Sequence, residues 1–221
     1  MAYTTIDDPS VYFQTTIYTG NGGNDHNITN TGNSDLSPDW IWLKNRGRAD
    51  NHAVYDTSRS PSGTMKLLQP NATLAEADDG SGTFVSFDTD GFTVGANAFR
   101  NNYSNDTYVA WQWKANGGTT TTNDASSTGV GTIDSVYQAN TTAGFSIVTY
   151  TGTNAAGTIA HGLGAVPNWI ITKNRVSANS WAIYHSANTS APETDFLLLN
   201  TTDATVDNGS CNWDTTIVLN P

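Results

Sequence analysis

The sequence predicts an all-β chain of two tandem β-sandwich modules, jelly-roll or concanavalin-like, with the second module incomplete. Three observations predict it: a strand-forming composition, an internal repeat at a constant offset, and short apolar runs separated by turn residues. The 221 residues accommodate one large β domain or two of about 100 residues each. Thr (34) and Asn (24) dominate the polar residues, and seven Trp, nine Tyr and seven Phe supply apolar bulk. β-Branched and aromatic side chains fit a pleated, half-buried surface. With four Lys and two Glu in the whole chain, there is little material for helices.

The repeat is the most specific signal. Trp40 to Tyr55 aligns with Trp169 to Tyr184 at an offset of 129, with eight identities in sixteen positions. The register continues outside this stretch: Pro38 meets Pro167, Leu68 meets Leu197 and Asn71 meets Asn200. Upstream, Phe13 to Gly20 matches Phe145 to Gly152 at an offset of 132, a loop change of three residues. Modules are therefore expected at 1–115 and 142–221. Residues 116–141, rich in Gly, Thr, Ser and Asn, read as a linker, with Ile133 to Tyr137 a candidate short strand.

Taken in order, the elements punctuate themselves. Val11 to Tyr18 is rich in strand formers and stops at Gly20-Asn-Gly-Gly. Pro38 opens the strand Trp40 to Lys44, and Ala53 to Tyr55 follows a polar turn. Asn71 to Ala77 has the Ala and Glu content of one helical turn. Phe84 to Phe87 and Phe92 to Val94 flank the turn Asp88-Thr-Asp-Gly91. Tyr108 to Lys114 alternates, with Tyr108, Ala110 and Gln112 on one face and Val109, Trp111 and Trp113 on the other. At the 129 offset this closing strand would recur past Pro221, the reason to expect an incomplete second module whose sheet has an open edge.

Charge and motifs narrow the function. The net charge of −11 opposes nucleic-acid binding, in which Lys and Arg neutralise phosphates, and opposes docking on anionic membranes. No apolar run is long enough to predict a membrane span, and the N-terminal residues lack the pattern of a signal peptide. The single Cys211 permits no intrachain disulfide and no cysteine-based metal cluster. The four histidines lack metal-ligand spacing. His52 aligns with Trp181, and Asp56 with His185, so a catalytic site built on them would not survive in both copies. Asp88 and Asp90 resemble the opening of a calcium loop but lack its later ligands, and a plain turn is the simpler reading. Two Glu in the chain disfavour a carboxylate-pair glycosidase. The expectation is a protein without catalytic residues, cofactor or metal.

The matched basic pairs Lys44/Arg46 and Lys173/Arg175 are candidate ligand or interface contacts. Trp181 and Trp213 join them as the indoles expected at the surface. Trp40, Tyr55, Trp111, Trp169 and Tyr184 are the expected core, because repeated apolar strands carry them.

Several motifs resemble tail-fibre-like virion proteins of marine tailed phages, found in cyanophages and pelagiphages. They are Tyr18-Thr-Gly-Asn-Gly22, Pro38-Asp39 with Trp42-Leu-Lys-Asn-Arg46, Asp50 to Asp56, Ser86 to Gly95 and Tyr108 to Lys114. The second module adds Gly144 to Gly152 and His161-Gly-Leu-Gly with Pro167. The resemblance spans nearly the whole chain. It implies a structural protein of the particle, assembled in the host cytoplasm, of tail-fibre or adhesin type or else decorating the capsid. It further implies other virion proteins as partners, a homo-oligomer (a trimer in a fibre) and a host surface glycan as a candidate ligand.

Overall fold

In the computed structural model, residues 6–60, 64–80, 83–95 and 99–207 are described. Among the described residues the chain is all-β apart from one short 3-10 turn and one short helix. It divides into two units, Met1–Gln69 with Glu76–Thr119, and Pro70–Ala75 with Thr120–Pro221.

The first unit begins with the 3-10 turn Pro9–Val11, in which the Asp8 carboxylate accepts the Ser10 N–H. Nine strands follow: β1 (Phe13–Thr19), β2 (His26–Ile28), β3 (Trp40–Asn45), β4 (Ala53–Asp56), β5 (Lys66–Leu67), β6 (Ala77–Asp78), β7 (Phe84–Asp88), β8 (Gly91–Val94) and β9 (Thr107–Trp113). One antiparallel sheet runs β1-β9-β3-β4 and a second β2-β8-β7, with β5-β6 as a separate ribbon. Strand alternation selects the core. Tyr18, Ile41, Leu43, Tyr55, Tyr108 and Ala110 from the first sheet meet Ile28, Phe84, Phe92 and Val94 from the second. Tyr55 is fully buried and stacks on Phe84, with ring centroids 4.4 Å apart. Burying these side chains is the main stabilising term, about 1.5–3 kcal/mol for each large one.

The same inner face also holds polar groups. Gln112 and Asn30 are buried and bond each other and Thr16, so their amides are satisfied inside the sandwich. Gly91 closes the β7–β8 hairpin with φ of +102°, and a Cβ there would lie 2.0 Å from the Ile28 carbonyl oxygen. Only glycine fits. Asn71 to Ala77 forms no helical turn; Ala77 instead pairs with Leu67 as part of β6.

The second unit contains β10 (Thr121–Asn123), α1 (Ala125–Thr128), β11 (Ser135–Asn140), β12 (Phe145–Tyr150), β13 (Trp169–Thr172), β14 (Ala182–His185), β15 (Asp195–Leu198) and β16 (Val206–Asp207). Residues 116–141 are thus not a bare linker but carry two strands and a helical turn. Small polar residues order this stretch through local bonds. Asp124 caps α1 by accepting from Ser126 and Ser127, and Asn123 donates to the Val130 carbonyl. β11 and β12 form a hairpin, with β10 on the far side of β11. β12, the counterpart of β1, therefore takes its neighbour from the chain just before it, where β1 takes β9 from the end of its module.

β13 to β16 reproduce β3 to β6 pair for pair. Trp40 faces Asp56 and Trp169 faces His185; Lys66 faces Asp78 and Asp195 faces Asp207. The bridge between Val54 and Leu68 recurs as the pair Ile183 and Leu197. The 129-residue offset is therefore a structural register. At that offset the counterparts of β7 to β9 fall at residue 213 and later, outside the described residues.

Candidate functional site

Residues facing away from the core on the β1-β9-β3-β4 sheet form rows fixed by strand register. Phe13, Trp113 and Trp40 lie across β1, β9 and β3; Thr15, Trp111 and Trp42 form the next row, and Ile17, Val109 and Lys44 the third. The ring centroid of Trp113 is 4.7 Å from Phe13 and 4.8 Å from Trp40. Trp40 continues to Trp42 at 5.9 Å and Trp42 to Trp111 at 6.2 Å, both edge to face. Each indole is half-buried by its neighbours, while Phe13 and Ile17 are exposed. Edge-to-face packing stabilises such pairs by about 0.5–1.5 kcal/mol. It gives the sheet an aromatic face without enclosing it.

At one end of this face the Trp42 Nε1–H donates to His52 Nδ1 at 2.7 Å. The bond places the imidazole proton on Nε2. Burial, and secondarily the Lys44 ammonium, hold the His52 pKa below its ordinary value, favouring this neutral form.

The expected core needs correction. Trp40 and Trp111 are half-buried on the outer face, Trp169 is 55% exposed and Tyr184 is half-buried. The repeat fixes equivalent positions, but a strand has two faces, and Ile41, Leu43 and Asn45 occupy the inner one. Trp181, expected at the surface, is 5% exposed, and its Nε1–H donates to the Ala72 carbonyl at 3.1 Å. Trp213 and Cys211 lie outside the described residues.

The basic pairs also divide. Lys44 Nζ donates to the carbonyls of Asn45 and Arg48, at 2.6 and 2.9 Å. Lys173 Nζ donates to those of Ser177 and Asn179, and to Thr73. Arg48 and Ser177 are themselves related by the repeat. The adjacent asparagines match as well: Asn45 Oδ1 accepts from Gly47 and Arg48, and Asn174 Oδ1 from Val176 and Ser177. In both copies, Lys-Asn is a clasp that closes a hairpin. Partial burial lowers the Lys173 pKa. Arg46 and Arg175 are exposed, and Arg175 borders an open groove of about 600 Å³ lined largely by Thr and Ser near Tyr150.

Asp88 accepts from Asn27, Ser86 and Thr93, and Asp90 from the Leu36 N–H. These carboxylates serve the β7–β8 turn and its neighbours. Sequence reasoning assigns Trp40 and Trp111 to the core, although the alternation of Val109, Trp111 and Trp113 already separates those residues from Tyr108, Ala110 and Gln112. Setting the same alternation against Trp40 and Trp42 reveals the outward row.

No curated protein and no solved structure matches the chain. Residues 8–219 match one protein family, described as Domain of unknown function (DUF7483). Since the match takes in both units, from before β1 to beyond β16, the whole chain belongs to the DUF7483 family.

Proposed function

We propose that the protein is a non-enzymatic structural component of a tailed-phage particle, of tail-fibre or adhesin type, and that the outer face of its β1-β9-β3-β4 sheet is its contact surface. The aromatic row is the observation that carries this reading. Trp and Tyr anchors dominate the binding energy of protein interfaces, and a sheet presents them at fixed spacing with little ordering cost on binding. Phe13, Trp40, Trp42, Trp111 and Trp113 are held together in this way. The motifs shared with tail-fibre-like virion proteins supply the particle as the setting. Other virion proteins or a host surface glycan are then the partners, with the protein working as a homo-oligomer, a trimer in a fibre.

Immunogold labelling of intact particles tests the assignment. Label on the tail supports it. Regular label across the shell replaces it with capsid decoration, and absence from purified particles overturns both. Binding of the purified protein to host cells should fall at least tenfold in a Trp42→Ala/Trp111→Ala variant that keeps its fold. Release of sugar from host polysaccharide would replace the structural reading with a depolymerase.

A further inference from the structure

The second unit repeats β3 to β6 as β13 to β16, but one neighbour has no counterpart. In the first unit β3 lies between β4 and β9, with Trp40 opposite Trp113 and Trp42 opposite Trp111. Among the described residues β13 pairs with β14 alone and ends its sheet. Alternation decides which groups this leaves. The Arg46 N–H donates to the Thr107 carbonyl at 2.7 Å, so the even-numbered residues of β3, Trp40 and Trp42 among them, turn their main chain toward β9. The Ser186 N–H donates to the Asn168 carbonyl at 2.9 Å, so Ile170 and Thr172, in step with Asn168, turn toward β14. Trp169 and Ile171, the counterparts of Trp40 and Trp42, therefore each direct an N–H and a C=O away from β14. These groups have no hydrogen-bond partner among the described residues.

Space and exposure agree with this reading. In the first unit β9 enters between the ends of β1 and β3, where the Gly20 N–H donates to the Asp106 carbonyl at 2.8 Å and Arg46 bonds Thr107. The counterparts of Gly20 and Arg46, Gly152 and Arg175, both line the open groove of about 600 Å³. Trp40 is half-buried with the Trp113 ring 4.8 Å away, whereas Trp169 is 55% exposed. β13 itself, Trp-Ile-Ile-Thr, carries no charge to repel a strand. By the 129 offset, residues 208–221 correspond to 79–92, which in the first unit supply β7 and the start of β8 in the other sheet, not a neighbour of β3. An exposed strand edge is a template for another strand. Main-chain bonds then give affinity, and alternate side chains give specificity.

We propose that the edge of β13 accepts one antiparallel strand from a neighbouring polypeptide, with aromatic residues at alternate positions as β9 has at Trp111 and Trp113. The register of β9 on β3 sets the pairing. One aromatic residue lies opposite Trp169, and the aromatic residue two positions before it lies opposite Ile171. The proposal does not depend on where the chain sits in a particle, nor on the aromatic face of the first unit.

The test follows amide hydrogen exchange by NMR in the ¹⁵N-labelled full chain. The probe is a synthetic peptide of residues 107–115, Thr-Tyr-Val-Ala-Trp-Gln-Trp-Lys-Ala. In the free chain the Trp169 and Ile171 amides should exchange fast and that of Ile170, bonded within the sheet, slowly. Saturating peptide should slow exchange at Trp169 and Ile171 by about tenfold or more. The same peptide N-methylated at Trp111 keeps every side chain but lacks the N–H that would bond Ile171, and it should give no such protection. Slow exchange at Trp169 and Ile171 in the free chain would show that the chain covers this edge itself, which overturns the proposal. Unchanged exchange with peptide, protection confined to the first unit, or equal protection by the N-methylated peptide overturns it as well.

Discussion

Asp39 holds more of the first unit together than its position before a strand suggests. It is 1% exposed, and its carboxylate accepts from the backbone N–H groups of Ala115, Gly117 and Gly118 and from the Thr57 hydroxyl. Replacing it with Ala would strip the turn after β9 of its acceptors, so Asp39→Ala should lower stability by about 3 kcal/mol in urea titrations. Two histidines set a second expectation. His52 and His161 both lie below the ordinary value of 6.5, chiefly through burial, with Lys44 adding to the effect at His52. A depressed base contributes stability that is complete above its unfolded pKa and is lost as pH falls through the folded one. Unfolding midpoints should hold steady above about pH 7 and decline below about 6.5, before most carboxylates titrate. Trp42 emission should change over the same interval, because protonating Nδ1 of His52 removes the acceptor of its indole N–H. His52→Phe should abolish that fluorescence change. None of this was legible in the sequence, where Asp39 and His52 are isolated polar residues whose partners lie in distant turns or on another strand.

At the level of the element, the 129-residue repeat carries the hairpin with its closure. Strand existence and register were legible, because Trp-Ile, Lys-Asn-Arg and Ala-x-Tyr recur without a gap. The face was not. A repeat reports equivalence, and only the period-two alternation of Ile41, Leu43 and Asn45 against Trp40, Trp42 and Lys44 tells inside from outside. The order in residues 116–141 was hidden for a different reason. Thr, Ser and Asn there form caps and turns through local side-chain bonds, and composition alone does not distinguish these from a linker. The Lys clasp gives the expectation at this scale. Lys44→Met and Lys173→Met should each destabilise the hairpin they close by about 1–2 kcal/mol, whereas Arg46→Met should stay within about 0.5 kcal/mol. Hydrogen exchange in β4 and β14 would register the difference locally.

Over the whole molecule, charge governs behaviour more than any single contact. The chain carries −11 at neutral pH and has a sequence pI near 4.4. Repulsion between copies opposes non-specific association while that charge lasts. As it vanishes, the exposed Phe13 and Ile17 and the half-buried indoles beside them are free to meet their like. Light scattering should therefore rise sharply near pH 4.4 and fall again on either side, and added salt should raise it at neutral pH by screening the repulsion. The Trp42→Ala/Trp111→Ala variant should aggregate less at the same pH.

The clasp has one more consequence. Lys44 and Lys173 hold their hairpins through main-chain carbonyls, which every residue possesses. The turn between the strands can thus change its side chains without losing its shape, and between the two copies it has: Gly47 and Arg48 stand where Val176 and Ser177 stand. A mutation at such a tip alters what a neighbouring surface meets and leaves the frame intact. Duplication followed by drift at these corners would let descendants of one gene explore new attachments at low risk to folding.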